Sequence, residues 1–226
     1  MKNVINLLSQ ASEGRMAAQV FASFARVSAT ALGCGMREDE YLGEAKRLTA
    51  KDLTLFGQAL GHLVEAMEAE PYTDLLGTIY MELLGKHASF GGEFHTPAEI
   101  CELMTSLVTH EPIPMDHHGL VHVAEPACGA GAQILALGKR MADRKNILRV
   151  QAIDISAVAC DLCYINTTLW GIPTVVIHGN ALSCETWHAW ANFPMIQVAP
   201  ITSKRMMTMT KAHPPKPTAL AQMTLL

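Results

Sequence analysis

The chain lacks any apolar run approaching the ~20 residues that cross a bilayer, so no membrane span is expected. Its first residues, Met1-Lys2-Asn3-Val4-Ile5-Asn6, lead into polar Ser9-Gln10 without the apolar region of an export signal. It lacks an excess of positive charge. Net charge is −4 and the pI is near 6.2, so the chain as a whole does not attract phosphate. Charged residues make up only 17% and hydrophobic residues 50%, the balance of a folded globule rather than a disordered chain. No repeat occurs at a 20–50 residue period, and no Ser-His-Asp arrangement or phosphate-loop lysine pattern stands out. The six cysteines (Cys34, Cys101, Cys128, Cys160, Cys163 and Cys184) are scattered. Without an export signal they are expected as reduced thiols in a cytoplasmic protein. Cys160-x-x-Cys163 has no second pair at ligand spacing, so packing is the expectation and no metal is. His110, His117, His118 and His122 read as a solvated loop.

What is present is 226 residues, enough for a real core. Residues 1–88 read as helical, without strand-like alternation. Met16 to Ala31 carries Val20, Phe21, Phe24 and Val27 on one side, and Gly33-Cys34-Gly35 stops it. Thr49 to Asp52 can cap a helix holding Leu53, Phe56, Leu60, Leu63 and Met67; Pro71 breaks the chain, and Asp74 to Leu84 is a further amphipathic segment. A second region, 89–200, opens with Gly92-Glu93-Phe94-His95-Thr96-Pro97, where Thr96 suits an N-cap and Pro97 the first helical position. From residue 120 onward strands and helices alternate. Strands are expected at 120–124, 148–154, 174–178 and 195–199, with helices at about 132–144, 156–169 and 185–190. Such alternation implies a parallel sheet. The last segment, 201–226, has no acidic residue, four Lys or Arg and three prolines, and reads as a flexible basic tail.

Ligands of such sheets bind at the carboxyl ends of the strands. The first strand ends in Glu125-Pro126-Ala127-Cys128-Gly129-Ala130-Gly131, a strand–glycine turn–helix sequence that lets a ligand approach the backbone and the helix N-terminus. The second ends in Asp154, 23 positions beyond Gly131, close to the ~20 at which an acidic group meets ribose hydroxyls. The third ends in Gly179-Asn180, whose amide can both donate to and accept from a base edge.

The turn from Glu125 to Gly131 resembles the S-adenosylmethionine motif of the adenine-N6 DNA methyltransferases, especially the modification subunits of type I restriction systems. Asp74-Leu75-Leu76-Gly77-Thr78-Ile79-Tyr80 and the Gly92 to Pro97 segment resemble the family's approach helix and its Thr-Pro motif. The resemblance runs from about 70 to 182. It implies a Rossmann-like α/β methyltransferase core behind a helical region, with S-adenosyl-L-methionine as cofactor and DNA as partner. It further implies a protein partner supplying target recognition, and no membrane. Phe94, Thr96 and Pro97 would contact the methionine end. Glu125, Pro126, Gly129 and Gly131 would line the turn beneath the cofactor, Asp154 would hold the ribose, and Asn180 would sit near the adenine.

The family's catalytic motif, Asp or Asn, Pro, Pro, aromatic, is expected after the fourth strand. Here that position reads Val198-Ala199-Pro200-Ile201, with neither a polar acceptor nor a ring. Asn192-Phe193-Pro194 has suitable residue types in the wrong order. Two functions therefore stand: an adenine-N6 methyltransferase, or a catalytically silent cofactor-binding or DNA-modification protein acting through a partner.

Overall fold

The computed structural model describes residues 1–11, 14–84, 96–109 and 113–198, of which the side chain of Leu84 is excepted. Five helices come first: α1 (Lys2–Ala11), α2 (Ala17–Ala31), α3 (Glu38–Ala45), α4 (Ala50–Ala69) and α5 (Leu75–Leu84). Thr49 and Asp52 start α4 with a reciprocal capping box, each side chain bonding the other's backbone N–H. Asp74 starts α5 by accepting from the Gly77 N–H at 2.8 Å. Helix α3 was not anticipated. It buries no residue, and its first turn is acidic, so it lacks the apolar period that marks a helix in sequence.

The α/β part follows as α6 (Ala98–Val108), β1 (Val121–Glu125), α7 (Ala132–Arg140), a 3₁₀ turn (Ala142–Ile147), β2 (Leu148–Asp154), α8 (Ala157–Leu169), β3 (Thr174–Asn180), β4 (Glu185–Ala191) and α9 (Phe193–Val198). The sheet order is β1-β2-β3-β4. β1, β2 and β3 pair in parallel, as expected, with Glu125 opposite Ala152 and Asp154 opposite His178. Side chains alternate across them. Val121, Val123, Leu148, Val150 and Ala152 are buried, while His122 and Gln151 on the other face are exposed. One continuous apolar core joins this sheet to the helical part, running from Val4 and Phe21 through Leu76 to Tyr164 and Val176.

The fourth strand departs from expectation. Residues 185–191 form β4, antiparallel to β3, and 193–198 form a helix. Two physical reasons explain the exchange. Thr186, Trp187 and Trp190 are residues that favour a pleated surface. The link of four residues from Asn180 to Glu185 is also too short for a parallel crossover. Asn192 then caps α9, its Oδ1 accepting from the Met195 N–H at 3.0 Å, with Pro194 in the first turn, where a missing N–H costs nothing.

The helical layer grips β4 through an ion-pair cluster. Arg37, 1% exposed, reaches Asp161 of α8 at 3.1 Å and Glu40 at 2.9 Å. Its guanidinium lies 4.1 Å from the centre of the Trp190 ring, and Trp190 donates to Glu40 at 2.8 Å.

Candidate functional site

The glycine turn closes against the tip of β2. The Cys128 N–H donates to the Ile153 carbonyl at 2.9 Å, and the Gly129 N–H donates to Asp154 Oδ2 at 2.8 Å. The other oxygen of Asp154 accepts from the Ser156 N–H at 2.8 Å. Asp154 thus ties the turn to the start of α8. Each carboxylate oxygen can accept a second bond, so capacity for hydroxyl donors is retained.

The two glycines answer to different constraints. Gly129 has φ +51°, and a Cβ there would meet nothing within 4 Å, so that side of the turn is open. Gly131 has φ +91° and caps α7. A Cβ there would lie 3.1 Å from Cys163 Sγ of α8, so its smallness serves helix packing. Gly129 thus leaves space open on its side of the turn, while Gly131 faces the protein interior.

Glu125, 8% exposed, ends β1 beside this turn. Burial pushes its carboxyl up to about 7. A 3.4 Å bond from the Ala127 N–H opposes that shift, and the charge of Asp154 adds to it. Pro126 is exposed at the start of the turn. Cys128 is buried, and contact with Cys163 together with burial pushes its thiol up.

Asn180 ends β3, and its Oδ1 accepts from the Leu182 and Ser183 N–H groups at 2.9 and 3.3 Å. These donors settle the amide's orientation. The side chain that the sequence left free to donate or accept presents its NH₂ group as a donor.

Helix α6 runs alongside α7. Gln133 donates to the Cys101 carbonyl at 3.2 Å and Thr105 Oγ1 at 2.9 Å, and Arg140 donates to Thr109 Oγ1 at 3.3 Å. The helices therefore run the same way, and Thr96 and Pro97 lie at the same end as the glycine turn. Both are exposed. The helix begins one residue later than expected. Pro97 is the N-cap, without a side-chain capping bond, because its ring closes the backbone N and leaves no acceptor. Burial pushes the Cys101 thiol up to about 11, with help from the charges of Asp74 and Glu125, which places α6 within electrostatic reach of both. Phe94 lies outside the described residues, as does the tail 201–226.

Two side chains at the strand tips were not foreseen. Ile155 follows Asp154 and is 64% exposed, and Leu182 is 98% exposed. Both set apolar surface beside the polar ends of β2 and β3. The available signal was an isoleucine where a turn favours polar residues. His178, opposite Asp154, comes within 3.2 Å of the Ile155 carbonyl through Nε2, and its ring meets Trp187 edge-on at 4.9 Å.

Other candidates fall away from this site. Asn192 is fully buried at the amino end of β3. Its oxygen accepts from Thr174 and Met195, and its NH₂ donates to Thr167 Oγ1 and the Ile172 carbonyl. It has no capacity left for a substrate, and it sits at the wrong end of the sheet. Cys160 and Cys163 are buried in α8. Among the described residues no group of three or more His, Cys, Asp or Glu could hold a metal ion. His122 pairs with Asp116 at 2.8 Å on the loop before β1. No described helix is long and apolar enough to cross a membrane.

The family described as N-6 DNA Methylase matches residues 72–215. The Type I restriction enzyme MpnII methylase subunit of Mycoplasma pneumoniae (strain ATCC 29342 / M129 / Subtype 1) is 25% identical over 179 residues. That match covers 70% of this chain and 32% of that protein, so the chain spans about a third of the relative's length. A solved structure from Listeria monocytogenes, provisionally assigned as a class I S-adenosylmethionine-dependent methyltransferase, shares 13% identity at a TM-score of 0.44, over 80% of this chain and 53% of that one.

Proposed function

Since the chain belongs to the N-6 DNA methylase family, we propose that it holds S-adenosyl-L-methionine across the tips of β1, β2 and β3 in an adenine-N6 DNA methylation system. Family membership makes S-adenosyl-L-methionine the cofactor. When bound, it supplies an electrophilic methyl group on a sulfonium. The observation that carries the reading is the 2.8 Å bond from the Gly129 N–H to Asp154, beside an open glycine face. It brings an acidic strand end and the open face of a glycine to one place.

The donor set fits. Glu125 offers a buried carboxylate to the α-ammonium of the ligand. Asp154 has lone pairs left for the ribose hydroxyls. Ile155 and Leu182 offer apolar contact to a flat base, and Asn180 offers a donor to a ring nitrogen. Thr96 and Pro97 stand at the same end, in support of a contact with the amino-acid portion.

Two expected results follow from this chemistry. Asp154→Ala should weaken cofactor binding by about 1–3 kcal/mol, through loss of hydrogen bonds to a charged group. Titration calorimetry checks it, and affinity equal to the parent's counts against the site. The second concerns pH. Glu125 is protonated in the fold below about 7, above its usual 4.5. The folded chain therefore holds a proton that the unfolded chain has released. The stability this contributes is present below pH 4.5 and is lost as pH rises through 7. Cofactor affinity runs the opposite way, because the ammonium needs the carboxylate. It should rise ~10-fold between pH 5.5 and 7.5. Glu125→Gln should flatten that rise, and a rise persisting in the variant would assign it elsewhere.

A second reading has its own support. The amide of Asn192, the one Asn-Pro candidate in the sequence near the fourth strand, is fully engaged at the amino end of β3 and cannot accept from a target amino group at the strand tips. On that reading the chain holds cofactor, and a partner completes methyl transfer or target recognition. Methyl transfer from labelled S-adenosylmethionine to unmethylated DNA separates the two. Binding without transfer favours the second reading; transfer by the purified chain favours the first.

A further inference from the structure

We propose that Asn166 is a positioning residue that ties the glycine turn of the cofactor site to the helical layer; its significance for cofactor binding rests on the function proposed above. Asn166 lies in α8 and is 1% exposed. Its NH₂ group donates to the Ala130 carbonyl at 2.8 Å and to Asp74 Oδ1 at 3.0 Å. Asp74 Oδ1 also accepts from the Gly77 N–H in the first turn of α5. A short chain of hydrogen bonds thus runs from the start of α5, through one amide, to the peptide between Gly129 and Gly131.

Three features point to positioning rather than packing. First, the turn needs outside support. Gly129 and Gly131 both have positive φ, the region in which glycine is least restrained, and Ala130 lies between them. Asp154 holds this turn from the β2 side, and Asn166 holds it from the α8 side. Second, α8 presses on the same turn through Cys163, whose Sγ lies 3.1 Å from the position of a Cβ on Gly131. Third, Asn166 Oδ1 is buried with no hydrogen-bond partner. A leucine of similar size would avoid that cost, so filling space does not account for the amide. Rotating the amide would set its oxygen against two acceptors, so the two donated bonds define its orientation. The NH₂ group carries the role.

The test uses hydrogen–deuterium exchange on the ligand-free chain of 226 residues, read on peptides covering 127–132. Asn166→Ala should raise exchange there ~10-fold or more. Asp74→Ala, which breaks the chain one link away, should raise it in the same peptides, while Asp74→Asn, which keeps an oxygen acceptor, should restore the parent's protection. Leu63→Ala is the control, since Leu63 lies in the helical core and its loss lowers stability without touching the turn. If the turn in Asn166→Ala exchanges no faster than in Leu63→Ala at matched stability, Asn166 is structural only and the proposal is overturned. Should Asn166→Ala not fold, Asp74→Ala against Asp74→Asn decides on the same criterion. In parallel, S-adenosylhomocysteine affinity should fall ~10-fold in Asn166→Ala through loss of preorganisation. A parent chain that binds no S-adenosylhomocysteine would remove the proposed function, and the exchange result would still decide the positioning role.

Discussion

Gly129→Val is expected to lower S-adenosylmethionine affinity by more than ~100-fold while the chain stays folded. A Cβ at Gly129 meets nothing within 4 Å, so the added methyl groups project into the open side of the turn, where the ligand is proposed to pass. The cost to folding is the positive φ of +51°, about 1–3 kcal/mol for a non-glycine residue. Gly131→Val should behave differently. Its φ of +91° and the 3.1 Å approach to Cys163 Sγ act on the fold itself. The loss of stability should therefore exceed that of Gly129→Val. Urea unfolding and calorimetry on the two variants separate these effects. Equal stability loss in both, with binding kept in Gly129→Val, would mean the open side of the turn faces nothing of consequence.

Arg37→Ala is expected to cost about 3–5 kcal/mol of stability, read by urea unfolding. Arg37 and Asp161 are 1% and 2% exposed. Truncating the arginine strands a buried carboxylate with Arg26 as its remaining partner, at 2.9 Å. It also removes the cation from the faces of Trp190 and Tyr164, at 4.1 and 5.2 Å. Arg26→Ala should cost less, because Arg26 is partly exposed and Arg37 continues to hold Asp161. A loss under about 1 kcal/mol for Arg37→Ala would show that the cluster is dispensable to the packing of the helical layer on β4.

The parts of the molecule that were legible in sequence share a cause. Thr49 and Asp52 mark a helix start through local chemistry. The three parallel strands mark themselves through apolar runs that end at Glu125, Asp154 and Asn180. Local rules decide those positions, so local reading finds them. Positions decided by distant partners were not legible. The stretch from Glu185 to Ala191 has aromatic and β-branched residues that a short connection turns back onto β3. Asn192 caps a helix where a strand was expected. The role of Gly131 depends on Cys163, 32 positions away, and the donor-only state of Asn180 depends on how the next turn folds. Ile155 gave no periodic signal, since a single exposed apolar residue at a strand tip has no pattern to read.

The proposed function requires a nucleoside cofactor seated over Gly129 and beside Asp154. Calorimetric titration of S-adenosylmethionine into the chain of 226 residues at neutral pH tests it most directly. The expected result is saturable binding of one ligand per chain, abolished in Gly129→Val and weakened in Asp154→Ala. No saturable heat up to millimolar ligand, or parent-like binding by both variants, would contradict it.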